Sequence, residues 1–433
     1  DDAFFIEARP DGGWNLTLAL ACPAFRWPFG GKLDKAVFNR ATSIYLPEAT
    51  HHMLPEALGT GAYSLLAQKT RPSLLIECTV GADGLVAACE PRVGYARLAA
   101  NLCYEDCETA LDGGESPASP YLEQLRQALE LARAHQERRI EKGAVIIERP
   151  DITINLEGAG ENITVSLDED PLAPKAHLLV SELMVLTNAA LAAWAKEHGV
   201  TLLHRTQDVA IPKEFSGIWQ TPLEIARVVK ALAPAVLETN PRPHAGLGEA
   251  MYAPSTSPLR RYPDMINETQ IISLLRDGKP RWSKEELDTL LPLLNAHLDA
   301  AGQVQRFRPR YWKLLYFKQQ GDRWWPAVIT DENDAFVTVN MPKEQMIVRA
   351  ASSSASAHIR GKSLKSASAR CILCKTTSSF WKPEKSKETP CSTSCGSALP
   401  TASAPSRSAW SSPKPSAVST PARPEAATWE RPT

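Results

Sequence analysis

Thr256-Ser257-Pro258-Leu259-Arg260-Arg261-Tyr262 sets two guanidinium groups side by side, after a proline-stiffened turn and before a tyrosine. Arginine presents a planar fork of donors that fits phosphate oxygens and stays charged at any physiological pH. Proline fixes φ at Pro258, so less entropy is lost when the loop meets an anion. On its own the segment also fits an ordinary solvated surface turn. Its neighbours argue otherwise. His244-Ala245-Gly246-Leu247-Gly248 and Tyr252-Ala253 precede it, and Asp264-Met265-Ile266-Asn267 follows. The chain opens Asp1-Asp2-Ala3-Phe4, and Thr42-Ser43-Ile44-Tyr45-Leu46-Pro47 and Met53-Leu54-Pro55 lie between.

This set, in this order, resembles the RNase II family of 3′-to-5′ exoribonucleases, built on the catalytic domain called RNB. The resemblance runs from residue 1 to about residue 320, and the arginine loop is its most specific part. It implies an α+β fold, a mixed sheet with packed helices around a central channel that admits only single-stranded RNA. It also implies a magnesium-dependent, processive, hydrolytic enzyme of the exoribonuclease II type that releases nucleoside 5′-monophosphates. The expected partner is single-stranded RNA, with no membrane and no obligatory protein partner. A second reading is a noncatalytic RNA-binding relative with a defective metal site.

Hydrolysis of a phosphodiester needs charge stabilisation, an activated water and a stabilised leaving oxygen, which two metal ions held by acids can supply. Magnesium prefers carboxylate and water oxygens. By resemblance, Asp2 is a magnesium ligand, and Asp1 supports the second metal or orients the water. Adjacent residues on a strand point to opposite faces, so a bend must re-aim one of them. The alternative is two solvated terminal acids. Arg260 resembles the family's catalytic arginine on the scissile phosphate, and Arg261 supports the loop or a neighbouring phosphate. Tyr45 resembles an aromatic clamp stacking on RNA bases; the alternative is a strand-end core tyrosine. Tyr104 matches a tyrosine near the terminal nucleotide, where a hydroxyl could sense the 2′-OH. His244, Tyr252, Thr256, Ser257, Pro258 and Tyr262 complete the expected RNA-binding set, with His244 supporting the channel. Adjacent His51 and His52 read as exposed loop residues.

The chain departs from the family at several points. Leu20-Ala21-Cys22 stands where the family has Ile-Ala-Asp, so an acid beside the active strand is gone. Asn267-Glu268-Thr269 replaces Asn-His-Arg, Gln305 falls near a family glutamate, and His204-Arg205-Thr206-Gln207 replaces Tyr-Arg-Val-His.

The 433 residues carry a formal net charge of −1. Residues 351–433 are net +8 and residues 1–350 net −9. An acidic body argues mildly against a broad nonspecific nucleic-acid surface, but a local basic channel suffices to track a phosphate backbone. No apolar run is read as approaching the roughly 20 residues of a spanning helix. Cys22, Cys78, Cys89, Cys103 and Cys107 are irregularly spaced, which reads as reduced thiols in a cytoplasmic protein.

Length suggests two or three domains. Residues 1–320 read as the catalytic domain. Strands and turns come first, with hairpins over 74–89 and 152–167. Helical patterns cover 120–142, 177–198, 222–237, 263–276 and 283–301. The basic, aromatic segment 303–319 contains Pro309, which argues against one uninterrupted helix. Residues 321–350 read as the start of an incomplete OB-type barrel. Residues 351–433 are about a quarter serine with sparse aliphatics, which is the composition of a disordered or frame-shifted tail. Its Cys371, Cys374, Cys391 and Cys395 have ribbon-like zinc spacing, but the intervening residues have little that forms strands, so accidental cysteines are the better reading.

The family's metal cluster includes two more aspartates that would precede residue 1. Single-turnover cleavage of labelled RNA by this 433-residue chain is therefore expected to be negligible; robust cleavage would overturn that expectation.

Overall fold

The computed structural model describes residues 2–321, 323–351, 359–363 and 366–370. Strands β1 (Asp2–Ala8) and β2 (Trp14–Ala21) flank a turn in which the Asp11 carboxylate accepts the Gly13 N–H at 3.2 Å. Helix α1 (Lys32–Arg40) leads to a short hairpin, β3 (Ile44–Tyr45) and β4 (Thr50–His51). A long hairpin follows, β5 (Thr70–Val80) and β6 (Val86–Arg97), then α2 (Tyr104–Leu111) and α3 (Leu122–Glu141). Strand β7 (Val145–Ile147), the hairpin β8 (Ile152–Glu157) and β9 (Thr164–Glu169), and α4 (Pro174–Glu197) come next. Then come β10 (His204–Thr206), β11 (Gly217–Trp219), α5 (Pro222–Ala231) and β12 (Val236–Glu238). Two helices, α6 (Tyr262–Asp277) and α7 (Lys284–Gln319), precede β13 (Trp324–Glu332), β14 (Phe336–Met341), β15 (Met346–Ala351), β16 (Ile359–Ser363) and β17 (Ser366–Arg370).

The fold is α+β. Its main sheet has the order β1-β2-β5-β6, antiparallel throughout, and β7 with β11 forms a parallel pair. Side chains alternate across a strand, and β2 uses both faces. Leu16, Leu18 and Leu20 pack into one core with Leu125 and Leu129 of α3 and Leu179, Leu183 and Leu186 of α4. Ala19 and Ala21 face a second core with Val37, Met53, Tyr262, Met265, Ile266 and Leu287. A strand buried on both sides reads as a nearly continuous apolar run, as Leu16 to Ala21 does. Burying one leucine stabilises by roughly 1.5–3 kcal/mol, so these two layers fix where β1 begins.

Helix α4 starts three residues before the apolar helical pattern at 177–198, and it corrects the expectation that no apolar run approaches a spanning helix. By length and composition it could cross a membrane, yet 67% of its apolar window is buried inside the fold. Helix α5 stops at Ala231 rather than 237, because Pro234 pushes the residues before it toward extended backbone. Helix α7 corrects the expectation of a break at Pro309: it runs continuously over 36 residues. Its start is fixed by a capping box between Ser283 and Glu286. Leu287, Leu291 and Leu294 anchor one end in the second core, and Phe317 anchors the other in a third. Packing on both sides of the proline outweighs the missing N–H.

That third core joins Phe317, Trp325, Val337, Val339, Met341 and Met346. Its sheet has the order β15-β14-β13-β17-β16. Strands β16 and β17 lie beyond residue 350, in the segment read as a tail without structure, and β17 pairs with β13 from Trp324↔Arg370 to Ala327↔Ala367. The four tail cysteines lie outside the described residues.

Two departures that look separate in sequence meet in the interior. The Glu268 carboxylate is fully buried, accepts the Ala24 N–H at 3.4 Å and bonds the Cys22 thiol. Burial holds the Glu268 carboxyl well above the usual carboxylate range and pushes the Cys22 thiol up. Glu268 of α6 thus places a carboxyl beside Cys22, the position where the resemblance expects an aspartate. The folded protein keeps a proton that the unfolded chain sheds above its ordinary value of 4.5, so this stability is present below that pH and lost as pH rises. Glu268→Gln is expected to fold and to raise the melting temperature more at pH 8 than at pH 5, by a few degrees for each ~1 kcal/mol. Parallel pH profiles for variant and parent in thermal denaturation would contradict this.

Candidate functional site

The arginine loop is built by buried amides and carboxylates from elsewhere in the chain. Asn188 of α4 donates to the Tyr252 hydroxyl at 3.1 Å and the Thr256 hydroxyl at 3.2 Å, and accepts the Ser255 N–H at 2.7 Å. Asn267 donates to the carbonyls of Leu203 and Pro254, both at 2.8 Å. Asp264, fully buried, accepts the Ser257 N–H at 2.9 Å and the Arg261 guanidinium at 2.6 Å. Its place in the first turn of α6 also suits a negative charge. The far side of the loop is stitched to the segment before β3. Ser43 N–H and Thr42 hydroxyl both donate to the Arg260 carbonyl at 2.9 Å, and Tyr262 N–H donates to the Ala41 carbonyl at 2.8 Å.

This frame leaves the Arg260 side chain exposed, with one guanidinium nitrogen donating to the Ser257 hydroxyl at 3.2 Å. Arg261 is half-buried. Burial opposes its charge, but Asp264, Tyr252 and Asp2 together hold its pKa above the ordinary value. Tyr104, the first residue of α2, feels both the amino end of the chain and the arginine loop. Burial raises its phenol pKa, Asp2 raises it further, and Arg260 lowers it. Asp2, Tyr104, Arg260 and Arg261 therefore share one electrostatic neighbourhood, although 258 residues separate Asp2 from Arg260 in sequence. The Tyr104 ring also stacks on His177 of α4, with centroids 4.1 Å apart and planes 17° apart.

Several residues expected to touch RNA are engaged in contacts within the fold. Tyr262 is 2% exposed and donates to Asp34 at 2.7 Å, a carboxylate that also accepts Trp27 Nε1 at 2.7 Å. Thr256, Ser257 and Pro258 are buried, which leaves their side chains little surface to offer a polynucleotide. The Tyr252 hydroxyl accepts a hydrogen bond from the Asn188 amide. His244 is buried, and burial together with Arg205 and Arg139 lowers its pKa to about 4, so it stands neutral at pH 7. It heads a loop locked by Arg139 of α3, whose Nε donates to the Leu247 carbonyl at 2.8 Å. Gly248 sits at φ +68°, and a Cβ there would lie 2.6 Å from the Arg139 carbonyl, so glycine is required. Arg139 pairs with Glu182, which also holds His135 at 2.7 Å. Burial opposes charge on His135, but Glu182 and Glu249 hold its pKa above the ordinary value. A cavity of about 230 Å³ beside this cluster is lined by His135, Trp194 and Glu249 and by none of Asp2, Tyr104 or Arg260.

Tyr45 is 49% exposed on β3, as a base-stacking side chain requires. Asp1 lies outside the described residues. Among the described residues no group of three His, Cys, Asp or Glu side chains is placed to hold a metal ion, so the donors described do not complete a magnesium site. Sequence reading missed Asn188, Asp34 and His177. None belongs to a local motif, and only their long-range contacts mark them.

The RNB domain matches residues 1–277. The chain belongs to the RNB domain family. This RNB chain is 29% identical to exoribonuclease 2 of Klebsiella pneumoniae over 314 residues, covering 64% of this chain and 48% of that protein. The Dss1 exoribonuclease of Candida glabrata superposes with a TM-score of 0.71 at 21% identity, over 81% of this chain and 48% of that one. RNase R of Mycoplasma genitalium, solved with ribose-methylated single-stranded RNA, gives 0.69 at 18% identity, over 80% and 60%. The chain spans about half the length of the curated relatives it matches.

If Asp264 holds the loop, Asp264→Asn leaves Arg261 without its charge partner and should cost about 2 kcal/mol or more. Thermal denaturation should show a fall of several degrees; an unchanged melting temperature would exclude the role.

Proposed function

We propose that this chain carries the site of a hydrolytic, processive 3′-to-5′ exoribonuclease acting on single-stranded RNA and releasing nucleoside 5′-monophosphates. The observation that carries the reading is that Asp2 and Arg260 both lie close enough to the Tyr104 phenol to act on its pKa, in opposite directions. Arg260 would hold the scissile phosphate in line and offset charge developing on it. Arg261, paired to Asp264, keeps the loop charged and rigid beneath it. The Tyr104 phenol, its pKa raised by burial, stays protonated and can donate to a ribose hydroxyl. The exposed Tyr45 ring offers a face to any base, which suits an enzyme without sequence preference. Magnesium is the cofactor proposed for the complete protein, and Asp2 is a carboxylate at this point that can serve it.

The second reading is a noncatalytic RNA-binding relative. It is favoured by Cys22, a buried thiol beside Glu268 where the resemblance expects an aspartate.

Fluorescence anisotropy with labelled single-stranded RNA tests the shared part. Arg260→Ala is expected to weaken binding about tenfold, the range for losing a charge-assisted hydrogen bond; unchanged affinity would sink the assignment. In the complete native protein with magnesium, 5′-labelled RNA should shorten from its 3′ end. Asp2→Asn should slow this at least about a hundredfold while RNA still binds. Binding without any cleavage by the unmutated complete protein would select the second reading.

A further inference from the structure

The C-terminal half of α7 has a face that the core does not use. From residue 300 to residue 321 the chain carries Arg306, Arg308, Arg310, Lys313 and Lys318 and no acid. Val304, Phe307, Arg308 and Tyr311 recur at helical spacing, so they line one face. Phe307 is 65% exposed and Tyr311 47%, and no other aromatic side chain among the described residues is as exposed as Phe307. The side chains that α7 buries here are Ala301, one turn before Val304, and Trp312 and Phe317, whereas Val304, Phe307, Arg308 and Tyr311 all stay exposed.

The stripe is fixed to the hairpin that carries Tyr45. Glu48, three residues after Tyr45, accepts Arg308 Nε and, at 2.7 Å, Trp312 Nε1. Partial burial would raise the Glu48 carboxyl, but these two donors hold it below the usual range. The Arg308 guanidinium lies 5.0 Å from the ring centroids of both Tyr311 and Trp312. A chain of contacts thus leads outward from Arg260. Its carbonyl binds Thr42 and Ser43, the strand carries Tyr45, the turn carries Glu48, and Glu48 holds Arg308 beside Tyr311.

Resting on the nuclease reading above, we propose that the Val304–Tyr311 face of α7 is a second stacking platform for single-stranded RNA. It takes nucleotides farther from the 3′ end than those at Tyr45 and Tyr104. Exposed rings beside a guanidinium match stacked bases joined by phosphates: the face's own cation, Arg308, is paired to Glu48, and residues 300–321 add four further cations and no acid around it. Arg308 is held by Glu48 and stacked on Tyr311, so the platform is rigid before RNA arrives.

The test uses anisotropy with 5′-labelled oligoadenylates of about four and about sixteen nucleotides, the ends of the usual single-strand site range. Phe307→Ala with Tyr311→Ala should weaken binding of the long oligomer about tenfold or more and leave the short one nearly unchanged. Phe307→Trp with Tyr311→Trp should restore the long-oligomer affinity. Circular dichroism and melting temperature check that α7 stays folded. Wild-type affinity of the double alanine variant for the long oligomer would overturn the proposal. Equal weakening for both lengths, or a fall in melting temperature with no length dependence, would assign the stripe to packing and also overturn it. If the unmutated chain binds neither oligomer, the nuclease reading fails as well.

Discussion

The Asp264 carboxylate is the constraint on which the site depends. It is fully buried, and one oxygen accepts both the Ser257 N–H and the Arg261 guanidinium. A buried charge without a partner costs several kcal/mol, so the loop and the helix must be placed together or not at all. Pro263 and the buried side chains from Tyr262 to Ile272 drive α6 into the interior, and Asp264 travels with it. The loop is carried to the same depth, which leaves Arg260 as its exposed tip.

The rest of the fold fixes where β1 begins. Strand β2, buried on both faces, fixes β1 in register through pairs from Asp2↔Leu20 to Ala8↔Trp14. The beginning of β1 therefore cannot slide without turning apolar side chains into water. Asn188 couples α4 to the arginine loop, and His177 at the start of the same helix supports the Tyr104 ring. One helix thus positions two elements of the site.

Much of this was legible in the sequence because it is local. The arginine loop, the first two strands, the β5–β6 and β8–β9 hairpins and most helices carry periodicity or turn residues within a few positions. What was not legible depends on contacts between distant segments. Cys22 and Glu268 read as two unrelated losses, and only the fold shows a thiol and a protonated carboxyl sharing one buried space. Tyr262 and Thr256 sit inside the motif that signals RNA, yet their hydroxyls are spent on Asp34 and Asn188. Pro309 misled because its local cost is outweighed by anchors at both ends of α7. Strands β16 and β17 have a composition that signals no strand, and their pairing comes from β13 alone and from each other.

The central claim is that the amino end of β1 and the tip of the arginine loop address one RNA linkage. A crystal structure of this chain with a single-stranded oligonucleotide tests it most directly. The account predicts a backbone phosphate within hydrogen-bond distance of the Arg260 guanidinium, with the Asp2 carboxylate facing the same phosphate and Tyr104 beside its ribose. An oligonucleotide bound elsewhere, with Arg260 turned to solvent and Asp2 remote from any phosphate, would contradict it.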